Sequence, residues 1–230
     1  MINLYPYLLV KHIKEKYFKI NSGNKLLDIG CGNGIYVWIF EKLGYEAYGV
    51  DKNTEKCRLL LDSANLNKIK EIDLEKEKIP FEDNYFDFIF SKSTIEHIYN
   101  TENFMKEAYR VLKPNGKIVI LTPDYESRYK DFFEHWQHVK PFTLKSLWSC
   151  LEEFGFKNVK VEKFYQLPLL WKCPYLKFLA KLTAMLIPDR FKYKDKKQTI
   201  HRTWVRFSKE VMLLGYGEKE VKDGIFQLGS

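Results

Sequence analysis

The stretch Lys25-Leu26-Leu27-Asp28-Ile29-Gly30-Cys31-Gly32-Asn33-Gly34 decides the fold. A short apolar run ends in glycines at alternate positions, and residues 34–43 then take helical spacing, closed by Gly44. Glycines at such a turn let the backbone bend sharply and approach a ligand without Cβ interference. The helix start that follows presents free N–H groups.

The pattern repeats outward from this point. EAYGVD (46–51) predicts a second strand ending in an acid, and residues 53–65 a helix opened by Asn53 or Thr54. IKEID (69–73) predicts a third strand, again ending in an acid. FDFIFS (86–91) is nearly all apolar, as expected of a strand covered on both faces. A helix over 101–116, a strand over 117–122 and a helix over 144–156 follow. Residues 159–164 and 199–207 alternate in polarity and predict the sixth and seventh strands. Upstream, residues 4–20 read as an amphipathic helix with Lys11, Lys14 and Lys16 on its basic face, stopped by Asn21-Ser22-Gly23-Asn24. The expected fold is α/β: a doubly wound, mostly parallel seven-stranded sheet with right-handed crossovers.

Four segments result: an N-terminal helix (1–24), a core (25–165), an apolar and basic insertion (166–198), and a last strand, helix and tail (199–230). The insertion is too short to build its own core.

Composition bounds the function classes. The chain has 230 residues, 45% hydrophobic and 30% charged, which excludes disorder, collagen and coiled coil as its dominant state. A net charge of +8 permits nucleic acid, anionic lipid or an anionic small molecule without choosing among them. Cys31, Cys57, Cys150 and Cys173 are widely spaced, which argues against a disulfide framework and for a reducing, cytoplasmic setting. The N-terminal apolar stretch carries charges and does not read as a signal peptide.

Two nucleotide motifs fail on the glycine turn. The dinucleotide fingerprint needs glycine where Ile35 stands, and a Walker loop needs a Gly-Lys-Ser/Thr that is absent. The G-x-G-x-G spacing with Asp28 two residues upstream instead resembles motif I of class I S-adenosylmethionine-dependent methyltransferases. The order of later features strengthens the resemblance. Asp51 and Asp73 end the next two strands, and Ile79-Pro80-Phe81-Glu82-Asp83-Asn84-Tyr85-Phe86-Asp87 leads into the fourth. Glu96-His97, Ala108-Tyr109-Arg110-Val111-Leu112-Lys113-Pro114-Asn115-Gly116 and His138-x-x-Pro141-Phe142-Thr143 are similar to the UbiE/UbiG-like subgroup (methyltransferase type 11/23).

The resemblance implies S-adenosylmethionine as cofactor and a site at the carboxyl ends of the strands. It places Asp28, Gly30, Gly32 and Gly34 at the methionine end, Asp51 with Lys52 at the ribose, and Asp73 with Leu74 at the adenine. Ser91 is expected to face the methionine portion. His97 and His138, with His135, are the candidate bases, because imidazole titrates near neutral pH. His135-x-x-His138 has metal-ligand spacing, but no third ligand has supporting spacing, so no metal is expected. Asp87 reads as structural.

Base-modifying amino-methyltransferases share an Asn/Asp-Pro-Pro-Tyr/Phe loop after strand four. Ser91-Lys92-Ser93-Thr94 departs from it and disfavours nucleic acid. The acceptor expected is a small or lipid-linked metabolite, methylated on oxygen or carbon. The segment Pro174–Pro188 is apolar with Lys177 and Lys181 four apart, and residues 189–206 carry a net charge of +5. It reads as a lid, an interface between chains, or a peripheral contact with the inner membrane face. Trp171, Tyr175 and Phe178 are candidates to line the acceptor site. The alternative reading is a non-catalytic module of this fold that engages a partner or membrane through residues 171–206.

Overall fold

The computed structural model describes residues 4–19, 24–173, 175–186 and 208–220. Helix α1 (Tyr5–Lys16) precedes β1 (Lys25–Ile29), α2 (Ile35–Lys42) and β2 (Glu46–Asp51). Next come α3 (Ser63–Leu66), β3 (Ile69–Glu71), β4 (Phe86–Lys92), α4 (Thr101–Val111) and β5 (Leu112–Pro123). The short α5 (Tyr125–Arg128), then α6 (Leu144–Glu153), β6 (Phe156–Tyr165), α7 (Leu169–Lys172), α8 (Leu176–Leu186) and β7 (Val211–Lys219) complete the order.

One seven-stranded sheet results, in the order β3-β2-β1-β4-β5-β7-β6. The β1–β2, β1–β4, β2–β3 and β4–β5 pairs are parallel, whereas β7 runs antiparallel to both β5 and β6. The expected α/β, mostly parallel sheet is therefore the observed one, with one reversed strand.

Two apolar layers explain why both faces are wound. Leu26, Phe88, Phe90, Val119 and Leu121 pack against α1 (Leu9, Val10, Ile13) and α2 (Val37, Phe40). Their neighbours Leu27, Ile89, Ile118 and Ile120 point the other way, onto α4 (Phe104, Ala108, Val111) and α6 (Leu147, Leu151). Successive side chains on a strand face opposite sides, so strands buried on both faces must read as continuous apolar runs. The Pro80–Asp87 approach to β4 is tied down separately. Arg110 donates to the carbonyls of Phe81 and Ile79 and pairs with Asp83 and Glu107 at 2.7 and 2.6 Å.

Three expectations need correction. The seventh strand is Val211–Lys219, while the segment proposed for it, 199–207, lies outside the described residues. VMLLGYG is buried throughout, so it lacks the alternation used to find edge strands. The helix expected over 53–65 is instead a 3₁₀ turn, Glu55–Leu59, followed by α3. There Cys57 and Leu61 are buried while Leu59 is exposed, so the segment turns only one short apolar pair inward. The fifth strand starts at Leu112, with a register shift where Lys113–Gly116 loops out between Phe86↔Leu112 and Phe88↔Lys117.

Candidate active site

Strand order reverses between β1 and β4, and α/β sheets bind ligands in the crevice at such a point. A cavity of about 700 Å³ opens there, at the carboxyl ends of β1, β2 and β4. One wall is the glycine turn. The N–H groups of Gly30 and Cys31 both donate to the Val50 carbonyl, at 2.8 and 3.0 Å, binding the turn to β2. Gly30 has φ +80°, and a Cβ there would sit 2.1 Å from Thr94 Oγ1. Gly32 has φ +57° and nothing within 4 Å of a virtual Cβ, so its open side is cavity.

Three acids surround this turn in three different states. Asp51 Oδ2 accepts from the Gly32 N–H at 2.8 Å and Oδ1 from the Asn53 N–H at 3.0 Å. Its carboxylate therefore shapes the turn and still faces the cavity. Asp73 Oδ1 accepts from the Glu75 N–H at 3.1 Å, and Lys52 lies 3.3 Å from Oδ2. That N–H, then Lys52, hold its carboxyl below the ordinary range. Asp28 is only 1% exposed, and neither carboxylate oxygen has a hydrogen-bond partner among the described residues. Burial first, then the nearby Asp51 charge, push its pKa well above normal.

Of the residues expected from sequence, Gly30, Gly32, Asp51, Lys52, Asp73, Leu74 and His97 line this cavity. Asp28 lies buried at the base of the turn, two residues before Gly30. Gly34 caps α2 and packs toward Leu61 and Cys57. Ser91 does not line the cavity: it is buried, and its hydroxyl donates to the Ile29 carbonyl at 2.8 Å, joining β4 to β1. Asp87 accepts from the Lys25 N–H and from Lys113, at 2.8 and 2.9 Å, a structural role at the far edge.

The opposite wall comes from two loops distant in sequence. A 3₁₀ turn, Ile95–His97, follows β4, and residues 136–139 fold back over it. The N–H groups of Val139 and Lys140 both donate to the Glu96 carbonyl, at 2.8 and 3.0 Å. Glu96 itself is buried and accepts from Thr122 Oγ1 at 3.0 Å. Burial raises its carboxyl pKa. This clasp brings His97 beside His138 and His135, with ring centroids 4.9 and 5.5 Å apart. Burial lowers the pKa of His138.

Sequence reasoning missed Thr94, Tyr99, Trp136 and Gln137, all of which line the cavity. Tyr99 and Trp136 are 74% and 84% exposed at its mouth, where nothing periodic marks them. Trp171, a candidate for this role, instead stacks on Phe164 and donates to the Tyr165 carbonyl. Tyr175 and Phe178 are exposed elsewhere on the surface.

The methyltransferase-domain family profile matches residues 4–161, more than half of the chain. The chain belongs to the methyltransferase-domain family. It is of the class I S-adenosylmethionine-dependent type that its motifs resemble. Over 123 residues it is 32% identical to a ubiquinone biosynthesis O-methyltransferase of Pelagibacter ubique, covering 49% of this chain and 51% of that one. Over 160 residues it is 29% identical to phosphoethanolamine N-methyltransferase 2 of Caenorhabditis elegans, covering 65% of this chain and 36% of the relative. The chain thus spans no more than about half the length of these two relatives. A SAM-dependent methyltransferase from Archaeoglobus fulgidus shares the fold, with TM-score 0.64 and 22% identity over 93% of this chain and 94% of that one.

The residues present fit that family's cofactor. A buried carboxyl with two unpartnered oxygens invites a polar ligand group, because such orphans are otherwise costly. The open side of Gly32 admits close approach, and Asp51 and Asp73 face the cavity from adjoining strand ends.

Proposed function

We propose that the protein transfers a methyl group from S-adenosylmethionine to a small or lipid-linked acceptor, on oxygen or carbon. The observation that carries this reading is a glycine turn at a cavity that Asp51 and Asp73 face, with the buried, unpartnered Asp28 beneath the turn. Bound there, the sulfonium supplies an already activated methyl group. The chain's own work is positioning. Asp51 has acceptor capacity for a diol, since a carboxylate offers about four lone-pair sites and two are used by backbone N–H groups. Asp73 and Leu74 bracket the adenine, and Gly30 and Gly32 admit the methionine end. Alignment of two reactants supplies roughly 7–11 kcal/mol of barrier lowering in favourable cases.

His97 stands on the acceptor wall, and its ring is oriented by the Gln137 carbonyl at 2.9 Å from Nδ1. It is the proposed base for a hydroxyl acceptor, with His138 behind it. Tyr99, Trp136 and Ile98 make this wall partly apolar, which suits a hydrophobic acceptor better than a phosphodiester chain. The names of the two relatives, a phosphoethanolamine N-methyltransferase and a ubiquinone biosynthesis O-methyltransferase, are in keeping with a small-molecule acceptor.

The test is calorimetric titration with S-adenosylmethionine, followed by methyl transfer to fractionated extracts. Saturable binding with turnover on some fraction is expected. Binding without turnover on any fraction would favour the non-catalytic module, and absence of binding ends the proposal.

A second reading concerns α8. Tyr175, Phe178, Leu182, Met185 and Leu186 form one exposed stripe at helical spacing, beside Lys181. No helix among the described residues is long and apolar enough to cross a membrane. We propose that α8 lies on an anionic bilayer surface. Flotation with phosphatidylserine vesicles is expected to fall for Phe178→Asp/Leu182→Asp, and equal flotation of both proteins removes the idea.

A further inference from the structure

One nitrogen from each of His97, His135 and His138 lies within 4.8 Å of the others, where sequence spacing showed two of the three. Their orientation is set from outside the cluster. His97 Nδ1 lies 2.9 Å from the Gln137 carbonyl, and His138 Nδ1 lies 2.7 Å from the Phe132 carbonyl. A carbonyl only accepts, so both Nδ1 atoms carry a proton, and in the neutral imidazole it is Nε2 that keeps the lone pair. Metal-ligating imidazoles are held in this way, with the far ring nitrogen donating to a backbone carbonyl. His135 stacks on His138 with centroids 4.6 Å apart and is exposed, so the cluster opens to solvent on one side. On the other side His97 lines the cavity.

We propose that His97, His135 and His138 form a three-imidazole site for a divalent transition ion, Zn²⁺ being the best suited, on the acceptor wall. Three neutral nitrogen ligands with an open fourth position are the donor set of a tetrahedral zinc centre. Zn–N bonds of about 2.0–2.1 Å place ligand nitrogens about 3.3 Å apart. Closing the cluster from 4.8 Å shortens each nitrogen–nitrogen separation by no more than about 1.5 Å. The two loops are already clasped by the Glu96 carbonyl, which holds the three rings together before any ion binds. The open position takes an oxygen donor, a hydroxyl or carboxylate of the acceptor; with the ion bound, His97 and His138 are ligands, and the role of base proposed for them belongs to the metal-free chain. This assignment of acceptor class rests on the proposed function, whereas the ion site stands on geometry alone.

The experiment uses the full chain stripped with chelator. Zn²⁺ is titrated in against a competing chromophoric chelator, and Co²⁺ absorption is recorded in parallel. One ion per chain is expected. His135→Ala, at an exposed position, and His97→Gln, from the other loop, are each expected to weaken Zn²⁺ binding by about 100-fold or more. Equal affinity in the parent and either variant overturns the site, as does an absence of saturable binding in the parent. S-adenosylmethionine is titrated separately, without metal. Its failure to bind would overturn the functional reading and leave the ion measurement intact.

Discussion

The two walls of the cavity are built differently. The wall proposed for the cofactor comes from consecutive strand ends between Asp28 and Leu74, and two of its acids, Asp51 and Asp73, are locked by backbone N–H groups of the same turns. The acceptor wall joins Thr94–Tyr99 to Trp136–Val139 through the Glu96 carbonyl, and its aromatic tips stand in solvent. The contrast teaches that a ligand common to a fold can be held by main-chain geometry, while the variable ligand meets side chains on loops.

If that division holds, substitutions on the two walls separate cofactor binding from acceptor use. The largest effect is expected at Gly30→Ala. A methyl 2.1 Å from Thr94 Oγ1, at φ +80°, forces both a clash and a left-handed alanine. A loss of about 3 kcal/mol in unfolding free energy is expected by denaturant titration, together with weakened cofactor binding. Unchanged stability would mean that the turn is softer than its contacts imply.

Next is Asp51. Each charge-assisted hydrogen bond contributes about 1.5–3 kcal/mol, so Asp51→Ala is expected to weaken S-adenosylmethionine by about 100-fold in calorimetry. Asp51→Asn keeps one acceptor oxygen and is expected to fall between Ala and the parent. Trp136→Ala probes the other wall. It is expected to raise acceptor KM by about tenfold, through loss of an aromatic contact at the cavity mouth, while cofactor Kd stays unchanged. A shift in both constants would merge the two walls into one unit.

The smallest effect is a pH dependence of the ligand-free protein. Asp28 has a folded pKa raised above its unfolded value by burial. The folded chain therefore holds the proton that the unfolded chain releases, and stability falls as pH rises above about 4 toward the folded value. Asp28→Asn is expected to flatten that fall, read as a smaller loss of Tm between pH 5 and pH 8. An identical slope would show that Asp28 titrates normally.

The legibility of the sequence follows the same division. The glycine turn and its strand-end acids announce themselves because they depend on local backbone geometry and on residues close along the chain. β7 did not, since a strand buried on both faces loses its alternation. Ser91 marks a limit of the sequence, because a small hydroxyl residue at a strand end reads alike whether its side chain faces a ligand or, as here, donates to the Ile29 carbonyl.

The first six strands, the family and the glycine turn with its neighbouring acids are legible in the sequence, through apolar periodicity and the steric freedom of glycine at the first turn. Tertiary structure alone decided the acceptor wall and the meeting of His97 with His135 and His138. Those residues lie 38 and more positions apart in the chain, and one buried carbonyl clasp closes the distance.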